Sequence, residues 1–171
     1  MHTVLILMGV SGCGKTLIGK KLAKELGCQF IEGDDYHSAE NKRKMERGIG
    51  LNDMDRQGWL ISLRDSLSES SGLAILSCSA LKRSYRNILR ENSNKTVFIH
   101  LGLTQKKLED RLKSRRGHFF NPSLLQDQLN TLEGLDPSEI GFTINSDQNT
   151  EKIIADILSK LNDKKYEFQY A

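Results

Sequence analysis

The sequence predicts an α/β fold in which a parallel sheet is covered by helices on both faces. Short apolar runs of strand length recur along the 171 residues, and amphipathic stretches of helical period separate them. This alternation is typical of parallel sheets with crossover helices. A glycine-rich loop also joins the first apolar run to the first helical stretch. Because a chain of this length can bury about 70% of its unfolded surface, we expect a single domain spanning residues 1–171.

Five apolar runs have the length of buried strands. They are Thr3–Met8, Gln29–Ile31, Leu73–Cys78, Thr96–Leu101 and Phe142–Ile144. Seven stretches between and after these runs have helical character. They cover Lys15–Leu26, Ala39–Arg47, Asp53–Ser70, Leu81–Glu91, Gln105–Ser114, Pro122–Glu133 and Glu151–Leu161. Ser38 and Gly48 should bound the second helix, and Asn121 with Pro122 should open the sixth, which Gly134 closes.

Composition and charge restrict the classes of partner. The net charge of +3, from 25 basic and 22 acidic residues, does not indicate nucleic acid or an anionic membrane. The three cysteines form no C-x-x-C pair and no zinc-ligand spacing, which favours reduced thiols in a cytoplasmic protein. No apolar stretch approaches the roughly 20 residues that cross a bilayer. We therefore expect neither nucleic acid nor a membrane as a partner.

Residues 9–16 match the phosphate-binding pattern G-x-x-x-x-G-K-[S/T] between a strand and a helix. Such a loop turns backbone N–H groups towards phosphates at a helix N-terminus. Lys15 can reach the β and γ phosphates, and the Thr16 hydroxyl can hold Mg²⁺. The candidate cofactor-binding residues are Gly9, Val10, Ser11, Gly12, Cys13, Gly14, Lys15 and Thr16. The pattern predicts a nucleoside triphosphate as ligand.

An acidic segment follows the second predicted strand, at the edge where open parallel sheets bind ligands. It contains Asp34, Asp35 and His37. Asp34 is our candidate base for the hydroxyl that accepts the phosphate, and it could also hold the metal through water. Asp35 and His37 are further candidates beside it. The alternative is that the two aspartates form a turn or a helix cap.

Residues 111–118 concentrate positive charge at the end of the fifth predicted helix and continue into glycine and phenylalanine. Arg111 and Arg115 are four residues apart, so they project from one helical face. We expect Arg111 to stack on adenine, Arg115 to reach the transferred phosphate, and residues 115–121 to form a lid. The alternative is a solvated basic surface.

A second polar cluster follows the third predicted strand. Lys82, Tyr85 and Arg86 fall on one face of the next predicted helix, and two cations with a phenol suit an acidic, hydroxylated small molecule. Arg56 could bind the carboxylate of the same molecule. The alternative for Lys82 and Arg86 is a salt-bridged surface helix. Trp59, the single tryptophan, is more typical of a core position than of a binding platform.

These motifs together resemble the small P-loop gluconokinases, which are related to shikimate and nucleoside monophosphate kinases. The resemblance is carried by residues 8–16, Gly33–Asp34 with His37, residues 51–59, and residues 78–86, whose Cys-Ser-Ala-Leu-Lys sequence separates this family from its relatives. It implies a three-layer P-loop kinase fold with strand order 2-3-1-4-5. It also implies ATP, Mg²⁺, transfer to the 6-hydroxyl of D-gluconate and a homodimer.

The same resemblance extends the site. It places an acceptor-binding helical region at about residues 36–60, and a further block, Gly117-His118-Phe119, adds His118 to the substrate-binding residues Asp34, His37, Arg56, Lys82, Tyr85 and Arg86. Two departures are visible: Gly58 stands where the family usually has proline, and Cys13 where it usually has serine. Neither removes a proposed catalytic group.

Competing interpretations are poorly supported. Asp55–Gly58 matches the D-x-x-G motif of regulatory GTPases, but it follows polar residues rather than a strand, and residues 94–97 lack the aspartate of N-K-x-D. A nucleic-acid-binding module would need a basic stripe interleaved with aromatic residues, which is absent. Among kinases the alternative acceptor is shikimate or another small metabolite, although the sequence lacks the Gly-Gly-Gly loop that binds shikimate.

Overall fold

A parallel sheet of five strands forms the centre of the computed structural model, which describes residues 2–92, 94–114 and 122–163. The strands are β1 (Thr3–Met8), β2 (Gln29–Glu32), β3 (Leu73–Ser77), β4 (Lys95–Gly102) and β5 (Gly141–Asn145). Their order is β2-β3-β1-β4-β5, and every neighbouring pair is parallel. The predicted order is confirmed, and each predicted strand bound lies within one residue of the observed one.

Seven α-helices and one short 3₁₀ helix, Gly33–Tyr36, surround the sheet in the described part of the chain. The helices are α1 (Lys15–Leu26), α2 (Ala39–Glu46), α3 (Asp53–Glu69), α4 (Arg83–Arg90), α5 (Gln105–Ser114), α6 (Pro122–Thr131) and α7 (Thr150–Leu161). Two predicted bounds were wrong by two residues. α4 begins after Lys82, whose backbone is extended, and α6 ends early because the Glu133 N–H bonds to the Leu81 carbonyl at 2.8 Å.

The sheet separates two hydrophobic clusters, which confirms three layers. On β1, Leu5 and Leu7 face the cluster that is covered by α1, α5, α6 and α7. Val4, Ile6 and Met8 face the opposite cluster, covered by α3 and α4. This alternation follows from the two-residue period of a strand. β1 is the central strand of the sheet: it pairs with a strand on each edge and is buried on both faces. The loop that follows β1 therefore begins at the centre of the sheet.

Helix α2 is attached to the domain differently, through polar contacts. Its buried residue is Asn41, whose Nδ2 donates to the Asp55 carbonyl at 2.7 Å. The predicted ends are confirmed: the Ser38 side chain caps the N-terminus, and Gly48 follows the C-terminus with φ of +71°. None of the helices in the described ranges has the length and apolar character needed to cross a membrane.

Candidate active site

The phosphate loop leaves the carboxyl end of β1 and runs into α1. Gly9, Gly12 and Gly14 have φ of +138°, +84° and +103°, conformations that favour glycine. The side chains of Val10 and Cys13 are buried in the hydrophobic core. Because these two side chains point into the core, a bound phosphate could contact only the backbone at these positions. The cysteine that departs from the family pattern is therefore compatible with phosphate binding.

The Lys15 ammonium lies over the backbone of its own loop. Its Nζ donates to the Gly9 carbonyl at 2.9 Å and to the Val10 carbonyl at 3.0 Å. These bonds hold the positive charge beside the N–H groups of the loop. The arrangement concentrates donors and positive charge at one place, as binding of a polyphosphate requires.

A pair of oxygen ligands at this edge fits Mg²⁺. The Thr16 hydroxyl donates to Oε2 of Glu32, the last residue of β2, at 2.7 Å, and Asp34 follows two positions later. Hydroxyl and carboxylate oxygens suit Mg²⁺, which usually keeps several waters and shares substrate phosphates. The described residues contain no group of three or more His, Cys, Asp and Glu side chains that could form a complete metal cage. Sequence reasoning missed Glu32, although a carboxylate at the end of a strand two residues before Asp34 was a usable signal.

Asp34 and His37 form a second polar pair near the end of β2. The Asp34 side chain is 79% exposed, and its Oδ1 lies 4.0 Å from Nε2 of the buried His37. The His37 ring stacks on Trp59 with centroids 4.1 Å apart, and its Nδ1 has no hydrogen-bond partner among the described residues. Burial, followed by the charges of Arg56 and Lys42, lowers the pKa of His37 to about 4. The imidazole beside Asp34 is therefore neutral at physiological pH.

Backbone contacts bring the ends of three strands together. Trp59, a core residue as expected, donates from Nε1 to the Gly33 carbonyl at 2.7 Å. A Cβ on Gly33 would lie 2.4 Å from the Ser77 carbonyl oxygen, so this close approach of the segments after β2 and β3 requires glycine. The Gly9 N–H donates to the Ser79 carbonyl at 3.2 Å. The phosphate loop, the Asp34 segment and the segment leading to Lys82 therefore share one edge of the sheet.

A cavity of about 560 Å³ lies between the start of α3 and the start of α4. It is lined by Leu51, Asn52, Asp53, Met54, Arg56, Lys82, Tyr85 and Thr131. The structure thus brings together three of the residues expected on the acceptor side, namely Arg56, Lys82 and Tyr85. Arg56 pairs with no carboxylate among the described residues; its guanidinium donates to the Leu51 carbonyl and lies 5.6 Å from the Tyr85 ring centroid. It remains available to an anionic ligand.

Asp53, which sequence reasoning did not select, organises this cavity. A capping box between Asn52 and Asp55 places Asp53 at the first position of α3. Both Asp53 oxygens accept from Lys82 Nζ at 2.8 Å, and Oδ1 also accepts from the Tyr85 hydroxyl. The hydrogen bond from Lys82, and then that from Tyr85, lowers the pKa of Asp53. No sequence signal pairs Asp53 with side chains that lie about thirty residues further on.

Arg86 does not lie on the cavity, which corrects its expected role in acceptor binding. Its side chain is 0% exposed, and it forms an ion pair with the equally buried Glu139, with Nε 2.7 Å from Oε1. The guanidinium also donates to the carbonyls of Ala80, Leu81, Glu133 and Gly134. Burial alone would raise the pKa of Glu139, but hydrogen bonds from Arg86 and from the Asp136 N–H keep it below its usual value. Arg86 therefore joins the turn before α4 to the segment after α6.

Arg111 lies beside the phosphate loop. Its Nη1 donates to the Cys13 carbonyl at 3.5 Å, and its Nη2 donates to the Ser146 carbonyl at 2.7 Å. This position is compatible with an adenine contact, and the stacking itself stays a prediction. Arg115, His118 and the predicted lid, 115–121, fall outside the described residues.

Comparison with known proteins identifies the family. The family model described as shikimate kinase matches residues 11–162. A probable gluconokinase of Xenopus tropicalis is 39% identical over 179 residues, covering 94% of each chain. The thermoresistant gluconokinase of Escherichia coli is 38% identical over 159 residues, covering 90% of each chain. The crystal structure of a gluconokinase from Sinorhizobium meliloti is 41% identical with a TM-score of 0.87, covering 93% of this chain and 91% of that one. The chain therefore belongs to the shikimate kinase family and, within it, to the gluconokinases.

Proposed function

We propose that this protein transfers the terminal phosphate of ATP to the 6-hydroxyl of D-gluconate, forming 6-phosphogluconate and ADP. The observation that carries the proposal is the cavity lined by Arg56, Lys82 and Tyr85, in a chain that is 39% identical to a probable gluconokinase of Xenopus tropicalis and 38% identical to a gluconokinase of Escherichia coli. One chain segment contacts both the cavity and the phosphate loop: its Lys82 lines the cavity, and its Ser79 carbonyl accepts the Gly9 N–H of the loop. A cationic, hydroxyl-bearing cavity next to a triphosphate site suits an acidic sugar as phosphate acceptor.

The nucleotide side of the reaction uses the loop and its neighbours. Those backbone N–H groups of the phosphate loop that are not bonded within the protein bind the phosphates, and Lys15 neutralises charge on the β and γ groups. Arg111 contacts the adenine. Thr16, together with Glu32 and Asp34 acting through water, would hold Mg²⁺, which supplies further neutralisation of phosphate charge when bound.

The acceptor side uses the cavity and the helical region at about 36–60. Arg56, which has no described carboxylate partner, binds the carboxylate of gluconate through its planar guanidinium. Lys82 and Tyr85, held by Asp53, bind sugar hydroxyls. An acceptor so held has its free hydroxyl oriented towards the nucleotide.

Asp34 takes the proton of the attacking hydroxyl. The bond from the acceptor oxygen to phosphorus forms as the bond from phosphorus to the ADP oxygen breaks, and the hydroxyl proton passes to the Asp34 carboxylate. The 79% exposure of this side chain leaves it accessible to a ligand. His37 stays neutral beside it and serves as a hydrogen-bonding group rather than a second charge. Arg115 and His118 remain predicted ligands of the transferred phosphate and of the substrate.

We also propose, from the family resemblance, that the protein requires Mg²⁺ and acts in the cytoplasm as a homodimer. Analytical ultracentrifugation at several concentrations tests the dimer: a single monomeric species throughout would contradict it. Titration of activity with Mg²⁺ after chelation tests the metal requirement.

The acceptor is tested by measuring ADP release with gluconate, shikimate, other sugar acids and nucleoside monophosphates. We expect the highest kcat/KM for gluconate and a product with phosphate on the 6-hydroxyl by phosphorus NMR. Asp34→Asn should abolish turnover but retain ATP binding, and Asp35→Asn provides the matched control one position away. Preference for another acceptor would contradict the proposed substrate, whereas an active Asp34→Asn variant would contradict the proposed base.

A further inference from the structure

Charged side chains line the acceptor cavity unequally. In the described part of the chain they are Asp53, Arg56 and Lys82, and the other lining residues are neutral. Lys82 Nζ lies 2.8 Å from both oxygens of Asp53. Arg56 forms an ion pair with none of the described carboxylates and bonds to a backbone carbonyl instead. The charges of Asp53 and Lys82 therefore cancel, and the cavity keeps the equivalent of one positive charge.

The pair of Asp53 and Lys82 is ionised at neutral pH. The hydrogen bond between them is the largest effect that lowers the pKa of Asp53, and it is also the largest that raises the pKa of Lys82. Of the groups that lower the pKa of Asp53, Arg56 has the smallest effect. The next carboxylate along the helix, Asp55, lies 2.6 Å from Lys44. Asp53 thus compensates Lys82 rather than Arg56.

Both cations of the cavity lie against one aromatic ring. Arg56 Cζ is 5.6 Å from the ring centroid of Tyr85, and Lys82 Nζ is 5.5 Å from it. An anionic group at this ring could therefore interact with both cations if Lys82 were free. The N–H donors that Lys82 directs at the two Asp53 oxygens are not available to such a group.

We propose that Asp53 is a specificity-determining residue: by neutralising Lys82, it fits the cavity to a hydroxylated acid with one negative charge and disfavours acceptors that carry a phosphate dianion. The inference rests on the proposed function, because it concerns the same acceptor site. Arg56 binds the single carboxylate. A second negative charge would find no free cation and would be repelled by Asp53, which is how a site rejects a competing ligand.

A series of ligands that differ in charge at one end tests the proposal. D-Glucitol, D-gluconate and D-glucitol 1-phosphate share a hydroxylated six-carbon chain with a free hydroxyl at the other end. At about pH 8 they carry no charge, one negative charge and two negative charges, respectively. Their dissociation constants are measured with a saturating non-hydrolysable ATP analogue, which keeps the phosphate loop occupied. Circular dichroism checks that each variant is folded.

Asp53→Asn frees Lys82. Relative to D-glucitol, it should tighten binding by about fivefold for each negative charge on the ligand, the effect of one unit charge at about 4 Å in water. Lys82→Gln leaves Asp53 uncompensated and should weaken binding by a similar factor per charge, which gives an independent result if Asp53→Asn does not fold. The double variant should restore the wild-type dependence on ligand charge.

Asp65→Asn is the matched control. Asp65 lies on the same helix, α3, is 57% exposed and pairs with Arg64 at 2.7 Å. Its loss removes the same charge from a similar exposed ion pair outside the cavity, so the three dissociation constants should match those of the wild type. The same charge dependence in Asp65→Asn as in Asp53→Asn would show a general surface effect and would overturn the proposal.

The alternative is that Asp53 only positions Lys82 and Tyr85. Asp53→Asn would then change the binding of all three ligands by one common factor, and the specificity role would be wrong. Tighter binding of D-glucitol 1-phosphate than of gluconate by the wild type would also overturn it. If the wild type binds no gluconate, the proposed acceptor fails by itself. The role of Asp53 is then decided by D-glucitol 1-phosphate, which must bind Asp53→Asn more tightly than the wild type.

Discussion

Arg86→Met removes a buried cation that holds two segments of the chain together. The guanidinium bonds to both oxygens of Glu139 and to four backbone carbonyls, and both side chains are 0% exposed. In the variant the Glu139 carboxylate keeps the N–H of Asp136 as a partner but loses its counter-ion. The change therefore leaves a charge in the interior while preserving most of the side-chain volume.

The expected loss is large for a domain of this size. Leaving one partner of a buried ion pair unpaired costs about 3–5 kcal/mol in the free energy of unfolding. Each kcal/mol corresponds to about 2–4 °C in Tm for a domain of this length, so Tm should fall by roughly 10 °C. Removing both charges, in Arg86→Met with Glu139→Met, should restore part of the loss, because no charge then stays buried and unpaired.

Urea unfolding followed by circular dichroism measures the two single variants and the double variant as a cycle. Arg83→Met is the matched control: Arg83 is half-exposed and pairs with Asp136, so its loss should cost less than about 1 kcal/mol. The structural role would be refuted if the free energy of unfolding of Arg86→Met lay within about 1 kcal/mol of the wild-type value. A raised KM for gluconate in the same variant would support the acceptor-binding role first expected for Arg86. Additive losses in the cycle would refute the coupling of Arg86 with Glu139.

Three further changes test other parts of the structure. Lys15→Ala should lower turnover by about a hundredfold or more without unfolding the protein, because it removes charge at the transferring phosphate. The steady-state rate and the circular dichroism spectrum of the variant are measured together. A variant that is folded and fully active would contradict the role of Lys15. Gly33→Ala should lower the free energy of unfolding by about 1–3 kcal/mol, since its Cβ would meet the Ser77 carbonyl oxygen, and Gly58→Ala, with open space at its Cβ, is the control. Protonation of His37 favours the unfolded state, because burial lowers its pKa from the ordinary 6.5 to about 4 in the folded protein. The contribution of neutral His37 to the free energy of unfolding is therefore complete above pH 6.5 and is lost as the pH falls towards 4. At pH 5 the loss should be about 2 kcal/mol. A His37→Asn variant whose free energy of unfolding has the same pH dependence as that of the wild type would contradict this.

The sequence predicted the parallel sheet and the phosphate loop accurately because both depend on local patterns. β1 and α1 have the predicted bounds, since the glycine motif lies between them and fixes where each can end or begin. The predicted start of α4 lies two residues before the observed one. No local sequence pattern indicates that Ala80 has a φ of +43° or that the loop continues to Lys82.

The errors in the site have a different cause, which is pairing between distant residues. Arg86 has helical spacing with Lys82, and only Glu139, fifty-three positions later, explains why it turns inwards. Asp53 was missed for the same reason, because its partners Lys82 and Tyr85 lie about thirty positions further along the chain. Trp59 was assigned to the core correctly, since size and apolar character alone favour that position.

The contrast between β1 and α2 bears on how such an enzyme could change its acceptor during evolution. β1 leads into the phosphate loop and is enclosed on every side, so most substitutions there would disturb the core. α2 buries only Asn41, and substitutions at exposed positions usually change the free energy of unfolding by less than about 0.5 kcal/mol. Mutations can therefore accumulate in α2, within the proposed acceptor-binding region at about 36–60, without loss of folding. A lineage can sample new hydroxylated acids while the machinery that handles ATP stays under strict selection.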